Sequence, residues 1–446
     1  MNEPGPGRPW PDGAIAVLAV AAATAPAWRM GWLRDDWLLL WRALDPATAP
    51  AGAAGVFPRP VAGLLWDAAA RLGGDAPWSM HLLVALCWVA LVAGALRWHR
   101  HFGGGTAGAI VAAVALAGHG ALVEPRLWAA AGNGVLAGAL GVWGAWRLHA
   151  GGGPAGRTAG ALLLVLAVLA RADALVLLVL PAVAGRRQGR AVGRPLLALA
   201  VAGTVALAWM VTSGGGWTYR PADGGHLLRL LVLPWGPPLP AAAAALVGVV
   251  ATVLCLAGGW LLVRRAPRTA ACLLAAAMVA VAGSLVDWTA AGRYVLMPAV
   301  TLAVALAGWW EGGVGARSFG TGRGLRVLVV AWLAVAALAV VRGRTAAELQ
   351  TISAAETALY RAVQAALPLP GDHLTVLDAP PLGWTGQAGD FENVVSAAAR
   401  RPVTVVLAGT PAPDLTFPVA TWREGAWIVR TGREHEQPDT GRRPAP

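Results

Sequence analysis

Two adjacent carboxylates stand in the segment Arg34-Asp35-Asp36-Trp37, just beyond the first apolar stretch of the chain. Like charges this close repel, so one of the two is expected to take up or release a proton closer to neutral pH than an isolated Asp does. Asp35 and Asp36 are therefore candidate catalytic residues for acid–base chemistry. The competing interpretation is that both are solvated and that Asp36 caps the helix that follows.

A second group of charged residues lies at the ends of apolar stretches. Glu124 and Arg126 flank a proline in a very short connection, and Arg171 and Asp173 mark the tip between two shorter apolar runs. Ionisable groups at a membrane boundary are costly unless they are paired or used. Each pair therefore has two interpretations, a local ion pair that stabilises the turn or a role in substrate binding.

Arg293-Tyr294 opens a later apolar stretch. A guanidinium at this place could extend its charged end harmlessly to the interface, or it could hold a lipid phosphate through two hydrogen bonds. The loop at 213–240 adds Arg220 among aromatic and charged neighbours. This mixture suits sugar stacking and phosphate binding, and it equally suits an interfacial belt.

Composition places the chain among membrane proteins. It is 57% hydrophobic and 13% charged, with a mean hydropathy of +0.59, which is outside the range of soluble domains. The net charge of +12 could indicate nucleic acid. The arginines cluster in short loops between apolar runs, however, so a lipid bilayer explains them and no nucleic-acid partner is expected. The three cysteines lie inside apolar runs and show no metal-ligand spacing.

The apolar runs predict an α-helical polytopic membrane protein with about eleven transmembrane helices. They lie at about 13–28, 78–96, 104–123, 127–146, 158–170, 173–185, 195–212, 241–263, 269–286, 293–310 and 325–341. Loops rich in Arg stay cytoplasmic. With a cytoplasmic N-terminus, nearly every acidic residue between 29 and 341 then faces outwards, with Glu311 as the exception. The spans and the Arg-rich loops together predict a membrane domain at 1–344 with an external loop at 29–77.

The composition changes near residue 345, where a small external α/β segment is predicted over 345–433. A helix is expected at 345–367, where apolar residues recur every three to four positions. Its apolar positions are Leu349, Ile352, Leu359, Val363 and Leu367. Short β-rich runs follow at 373–377, 402–407 and 426–429. The polar, Pro-rich end at 434–446 is predicted to be a disordered tail.

Six short motifs follow one another over about residues 20–310. They are Asp35-Asp36, Phe57-Pro58-Arg59-Pro60, His81-Leu82, Glu124 with Trp128, Arg171-Ala172-Asp173-Ala174 with Pro181, and Arg293-Tyr294 with Pro298. Their order resembles the GT-C class of polytopic glycosyltransferases, and within it the bacterial relatives of the tetratricopeptide-type protein O-mannosyltransferases. Pro58 is an insertion relative to the family element, Arg171 stands where the family has Lys, and tetratricopeptide repeats are absent from the sequence.

The resemblance implies transfer of a sugar, a hexose in this family, from a polyprenyl-phosphate carrier to a protein or glycan acceptor on the outer face of the cytoplasmic membrane. Asp35 or Asp36 would be the base, and inversion at the anomeric carbon is expected. Binding of a divalent metal ion by these carboxylates is a further possibility. The implied substrate-binding residues are Arg59, Glu124, Arg126, Arg171, Asp173, Arg220, Arg293 and Tyr294.

Two other functions compete with the glycosyltransferase. A transporter or flippase would need polar residues deep within its spans, whereas these spans consist almost entirely of Ala, Val, Leu and Gly with charges at their ends. A non-catalytic envelope assembly protein would bind through its external segment, and the acidic pair would then be dispensable.

Overall fold

The computed structural model describes residues 10–48, 60–74, 76–101, 104–119, 122–150, 153–171, 344–376, 388–407, 418–423 and 426–430, with a few further positions between 174 and 181 and between 296 and 307. The chain divides into two compact units. The first comprises Met1–Trp28, Gly55–Leu64 and His81–Gly343, and the second comprises Arg29–Ala54, Leu65–Met80 and Arg344–Pro446. Most of the segment predicted as a loop of the membrane domain, 29–77, thus groups with the C-terminal segment.

The first half of the chain forms eight helices among the described residues; five overlap the predicted spans, and the second and third lie in the stretch predicted as an external loop. They are α1 Trp10–Thr24, α2 Asp36–Leu44, α3 Pro60–Gly73, α4 Trp78–His101, α5 Thr106–Ala117, α6 Val123–Leu127, α7 Asn133–Ala150 and α8 Pro154–Ala170. Two differences from the sequence prediction lie in the segment 123–150. The Glu124–Arg126 connection forms the short helix α6, and the next long helix begins at Asn133 rather than near 127.

Among the described residues, only α4 is both long and apolar enough to cross a membrane by itself, and α5 and α8 are shorter apolar helices. The 24 residues of α4 extend over roughly 36 Å at 1.5 Å per residue, which exceeds the hydrocarbon thickness of a bilayer. The spans predicted at 195–212, 241–263, 269–286 and 325–341 lie outside the described residues, and so do most positions of those at 173–185 and 293–310.

Helices α7 and α8 pack against each other through glycines. A Cβ atom on Gly160 would lie 2.8 Å from the carbonyl oxygen of Gly144 and 2.5 Å from the backbone nitrogen of Leu148. The two backbones therefore approach more closely than any side chain would allow. Contact between small residues is how membrane helices associate, because lipid supplies no hydrophobic drive between them. Leu148 and Leu164 pack beside this contact.

The second unit contains a four-stranded sheet with two helices. The elements are helix α9 Arg344–Ala365, strand β1 His373–Val376, helix α10 Ala388–Ala399, and strands β2 Thr404–Leu407, β3 Val419–Arg423 and β4 Ala426–Arg430. The strand order is β2-β1-β3-β4, with β1 parallel to β2 and β3 and with β3 antiparallel to β4. Helices α9 and α10 pack against each other and against β4 and β2, respectively. The sequence predicted α9 and three of these strands, but neither β3 nor α10.

Helix α2, which begins at the acidic pair, packs against α10 in this unit. An ion pair also joins α2 to α3. Arg42 donates from Nη2 to Oδ1 of Asp67 at 2.7 Å and from Nε to the same oxygen at 3.0 Å. The pair is about one-quarter exposed, so water screens it and its contribution is modest. The acidic pair therefore belongs to a helix that is fixed on two sides.

The predicted topology can be tested at two exposed arginines, Arg147 at the end of α7 and Arg361 on α9. Each is replaced by Cys in a chain whose three native cysteines are Ala. Arg147 and Arg157 flank the connection after α7, so this connection is predicted to be cytoplasmic, whereas α9 is predicted to be external. An impermeant maleimide should therefore label only Arg361→Cys on intact cells. Arg147→Cys should react after the membrane is permeabilised. Labelling of both variants from outside would contradict the topology.

Candidate functional site

The two members of the acidic pair differ sharply in exposure. Asp35 precedes α2 and is exposed, whereas Asp36, the first helical residue, is 1% exposed. Oδ2 of Asp36 accepts a hydrogen bond from the backbone N–H of Leu33 at 3.2 Å. This side chain therefore contacts the backbone of the turn that precedes α2. Asp35 stands at the capping position but makes no side-chain capping hydrogen bond. Asp35 is thus the accessible carboxylate and Asp36 is the buried one.

The turn that carries the pair contains a left-handed residue. Arg34 has a φ of 50°, which costs a residue with a Cβ roughly 1–2 kcal/mol. The turn is closed by backbone hydrogen bonds from Asp36 N to Leu33 O at 2.9 Å and from Trp37 N to Arg34 O at 3.1 Å. Such a conformation persists only where the surrounding structure fixes it, and it occurs often at functional sites.

Glu356 on α9 binds both ends of this turn. Its Oε2 accepts the backbone N–H of Arg34 at 2.7 Å and the indole N–H of Trp37 at 2.9 Å. The side chain is 2% exposed. A carboxylate loses much hydration free energy when it is buried, and short hydrogen bonds from N–H donors offset that loss. Glu356 is therefore a buried acceptor matched to two donors of the acidic turn.

Two neighbours of Glu356 on the same face of α9 also contact this segment. Ser353 Oγ accepts the backbone N–H of Gly31 at 2.7 Å. The ring of Tyr360 stacks on Trp37, with centroids 4.6 Å apart and planes at 24°. Because positions three and four apart share a helix face, these three residues form one row. We call Ser353, Glu356 and Tyr360 the α9 clamp.

The sequence analysis missed the α9 clamp, although the sequence holds a signal for it. The predicted apolar stripe of α9 runs through Leu349, Ile352, Leu359 and Val363, and the helical repeat places position 356 in the same stripe. An acidic residue in a stripe that faces the interior needs a hydrogen-bonding partner. Its partner lies more than 300 residues earlier in the chain, which no local pattern reveals.

In the first unit, Arg126 on α6 is 3% exposed and donates to two backbone carbonyls. One is Leu122 O at 3.1 Å, and the other is Ala117 O at the end of α5. Burial lowers the pKa of the Arg126 guanidinium to about 10, so it stays charged at neutral pH. Within the described residues it forms no ion pair, and the side chain of Glu124 is outside them. Arg126 thus carries a buried charge whose visible partners are all neutral.

Arg171, directly after α8, is also buried, at 8% exposure. Its guanidinium lies against the start of α7, where a Cβ on Gly134 would be 3.0 Å from Nη1. Its backbone N–H donates to Ala167 O and ends α8. The remaining predicted substrate-binding residues lie outside the described residues: Arg59, Asp173, Arg220, Arg293 and Tyr294.

The described residues contain no group of three or more His, Cys, Asp or Glu side chains placed to hold a metal ion. Around the acidic pair, one oxygen of Asp36 and one of Glu356 already accept backbone or indole N–H groups. Divalent cations such as Mg²⁺ and Ca²⁺ take six or more oxygen ligands, partly from water. The described residues therefore do not fit a dedicated metal site, and no chemical step is assigned to one.

No protein-family model matches the chain, and no curated protein matches it in sequence. Among solved structures, the chain is similar to the crystal structure of ArnT from Cupriavidus metallidurans bound to undecaprenyl phosphate. The two share 14% sequence identity with a TM-score of 0.53, over 90% of this chain and 86% of that one. At this identity the likeness shows the fold. It bears out the expected fold at a coarse level, since the mostly helical chain shares the fold of that structure. The number of transmembrane helices, the topology and the finer resemblance to the tetratricopeptide-type O-mannosyltransferases stay predictions.

The different burial of the two aspartates predicts different effects on stability. Asp36→Ala removes the acceptor of the buried Leu33 N–H and should lower the free energy of unfolding by about 1–3 kcal/mol. The control, Asp35→Ala, changes an exposed side chain and should stay within about 0.5 kcal/mol of wild type. Thermal unfolding of the purified protein in detergent, followed by tryptophan fluorescence, measures both. Equal melting temperatures for wild type and Asp36→Ala would contradict this assignment.

Proposed function

We propose that the chain is a membrane glycosyltransferase that transfers a hexose from a polyprenyl-phosphate donor to a protein or glycan acceptor on the outer face of the cytoplasmic membrane. The observation that carries the proposal is the exposed Asp35 on a turn held by buried hydrogen bonds. A base for a soluble acceptor must be accessible and must also be fixed in direction. The GT-C-like fold adds support, since the similar ArnT structure contains undecaprenyl phosphate.

The proposed reaction is a single displacement at the anomeric carbon. Asp35 takes the proton of the acceptor hydroxyl while the hydroxyl oxygen forms a bond to the anomeric carbon. The bond between that carbon and the phosphate oxygen breaks, and polyprenyl phosphate leaves with the electron pair. The configuration is inverted. Asp36 has a supporting role, because its carboxylate is bonded to Leu33 inside the turn.

The leaving phosphate requires positive charge. Arg126 supports this part of the proposal, since a buried guanidinium without an ion pair among the described residues is costly unless an anion compensates it. Guanidinium groups bind phosphate through paired hydrogen bonds and stabilise the charge that develops as the bond breaks. Arg171 is proposed as a second ligand of the phosphate. The same role is proposed from the sequence motifs for Arg293 and Arg220.

The remaining motif residues receive roles from the sequence alone. Arg59 and Tyr294 are proposed to contact the donor, and Glu124 and Asp173 are proposed to orient the sugar hydroxyls. The proposed location is the cytoplasmic membrane of a bacterial cell envelope, with the N-terminus inside and the C-terminal segment outside.

The acid–base assignment is tested by Asp35→Asn and Asp36→Asn in turn. Asn keeps the size and one oxygen of the side chain but cannot accept the proton. Removal of a general base costs about 100- to 10,000-fold in rate, so Asp35→Asn should express normally and be nearly inactive. Transfer of radiolabelled hexose from polyprenyl phosphate by the purified protein measures this. Wild-type rates in both Asn variants would show that the mechanism assigned to this turn is wrong.

The phosphate assignment is tested by Arg126→Gln, with Arg147→Gln as a matched control at an exposed arginine of α7. Loss of a charge-assisted contact of roughly 1.5–3 kcal/mol should weaken donor binding by about 10- to 100-fold. The same factor should appear in the KM for the donor and in inhibition by added polyprenyl phosphate. The control should match wild type in both. A purely structural role of Arg126 would leave these two constants unchanged.

A further inference from the structure

The acidic turn is held by a helix from the far end of the chain. Ser353, Glu356 and Tyr360, the α9 clamp, contact residues 31–37 within the second unit. We infer that Glu356 is a positioning residue that sets the direction in which Asp35 points. This inference rests on the proposed function, since it concerns the orientation of the proposed base.

One oxygen of Glu356 fixes the turn at both ends. The Arg34 N–H comes immediately before Asp35, and the Trp37 indole comes immediately after Asp36. Hydrogen bonds are directional and weaken steeply when they bend. Because both donors converge on Oε2, the two residues between them cannot rotate without loss of at least one bond. The exposed Asp35 itself has no side-chain capping bond to hold it.

The left-handed backbone of Arg34 gives an independent reason for a clamp. A residue with a Cβ leaves this conformation readily unless its neighbours oppose the change. The N–H bonded to Glu356 belongs to Arg34 itself, at 2.7 Å. Removal of the acceptor therefore releases the peptide whose rotation would move the residue that follows, which is Asp35.

The approach of the turn to α9 is close along its whole length. A Cβ on Gly31 would lie 2.5 Å from Thr357 Oγ1 and 3.1 Å from Ser353 Oγ. Only glycine fits there without displacement of a neighbour. On the other side of Glu356, the Tyr360 hydroxyl accepts a hydrogen bond from Gln364 at 2.9 Å, which fixes the ring that stacks on Trp37. A neighbouring residue of α9, Gln364, thus helps to hold the clamp residue Tyr360 in place.

The C-terminal segment consequently has a role in the reaction rather than only in folding or binding. Helix α9 is anchored to the sheet by Trp427 of β4, whose indole donates to Ala355 O at 2.9 Å. Ala355 is the neighbour of Glu356 in the chain. Two adjacent residues of α9 therefore link the sheet to the acidic turn, since Ala355 contacts the sheet and Glu356 contacts the turn.

The inference is tested with Glu356→Ala and Glu356→Gln in the full-length protein. Misplacement of a reacting group by about 1 Å costs on the order of 100-fold, so Glu356→Ala should lower kcat by about 10- to 100-fold without a change in the donor KM. The Gln oxygen still accepts both N–H groups, so Glu356→Gln should keep kcat within about threefold of wild type. The matched control is Glu392→Ala on α10, whose half-buried side chain makes no hydrogen bond or ion pair with the described residues. It should behave as wild type.

Trp37→Phe is a second variant in case Glu356→Ala does not fold. It removes one of the two donors while an aromatic ring remains to stack on Tyr360, and it should lower kcat by about three- to tenfold. Wild-type kcat in Trp37→Phe and in any folded Glu356→Ala would overturn the inference. Recovery by Glu356→Gln distinguishes a positioning role from a general loss of stability.

Backbone hydrogen exchange separates this inference from the proposed function, because it needs no activity. Exchange over residues 31–37 should accelerate in Glu356→Ala and Trp37→Phe but not in Glu392→Ala, since the Arg34 N–H loses its acceptor or becomes free to open. Unchanged exchange would overturn the clamp whatever the activity. Accelerated exchange in the two variants, together with a wild-type protein that transfers no hexose, would overturn the proposed function and leave the clamp in place.

Discussion

The candidate site depends on the two hydrogen bonds that Arg34 and Trp37 donate to one buried oxygen of Glu356. Each side of this interaction is unfavourable alone. Without these two donors, the buried carboxylate would lose hydrogen bonds that offset its lost hydration. Without this acceptor, the left-handed Arg34 would lose a hydrogen bond that helps to fix its backbone. The turn and the helix that binds it therefore stabilise each other.

The first unit meets a similar constraint by different means. Its cations Arg126 and Arg171 lie in apolar surroundings, and backbone carbonyls and a glycine surface give them room. Arg126 binds the carbonyl end of α5, which would otherwise lack partners. In the proposed reaction, a guanidinium fixed in this way would be preorganised, because it would not need to reorient when charge develops on the phosphate. Helices α7 and α8 of the same unit pack closely at Gly144 and Gly160.

Local patterns in the sequence were sufficient for the overall fold and for many elements. The length of an apolar run predicted α4, the spacing of apolar residues predicted α9, and the order of the motifs predicted a fold that the similar solved structure shares. Contacts distant in sequence were not predictable. The association of residues 29–54 with the C-terminal unit and the role of Glu356 depend on partners more than 300 residues apart. Strand β3 was missed because it begins directly after a proline, which indicates a turn.

The choice between the two aspartates illustrates why such contacts decide function. From the sequence, either aspartate could be the base, and capping of the helix by Asp36 was the competing interpretation. Exposure supports Asp35 in the proposed role, because Asp36, at 1% exposure, cannot reach an acceptor hydroxyl unless the turn opens. A general base must lie within hydrogen-bonding distance of the proton that it takes, about 2.6–3.2 Å, or reach it through one water. In the proposed reaction, the acceptor hydroxyl would approach Asp35, because this carboxylate is exposed. Asp36 would contribute through the turn, because it accepts a hydrogen bond from the Leu33 N–H.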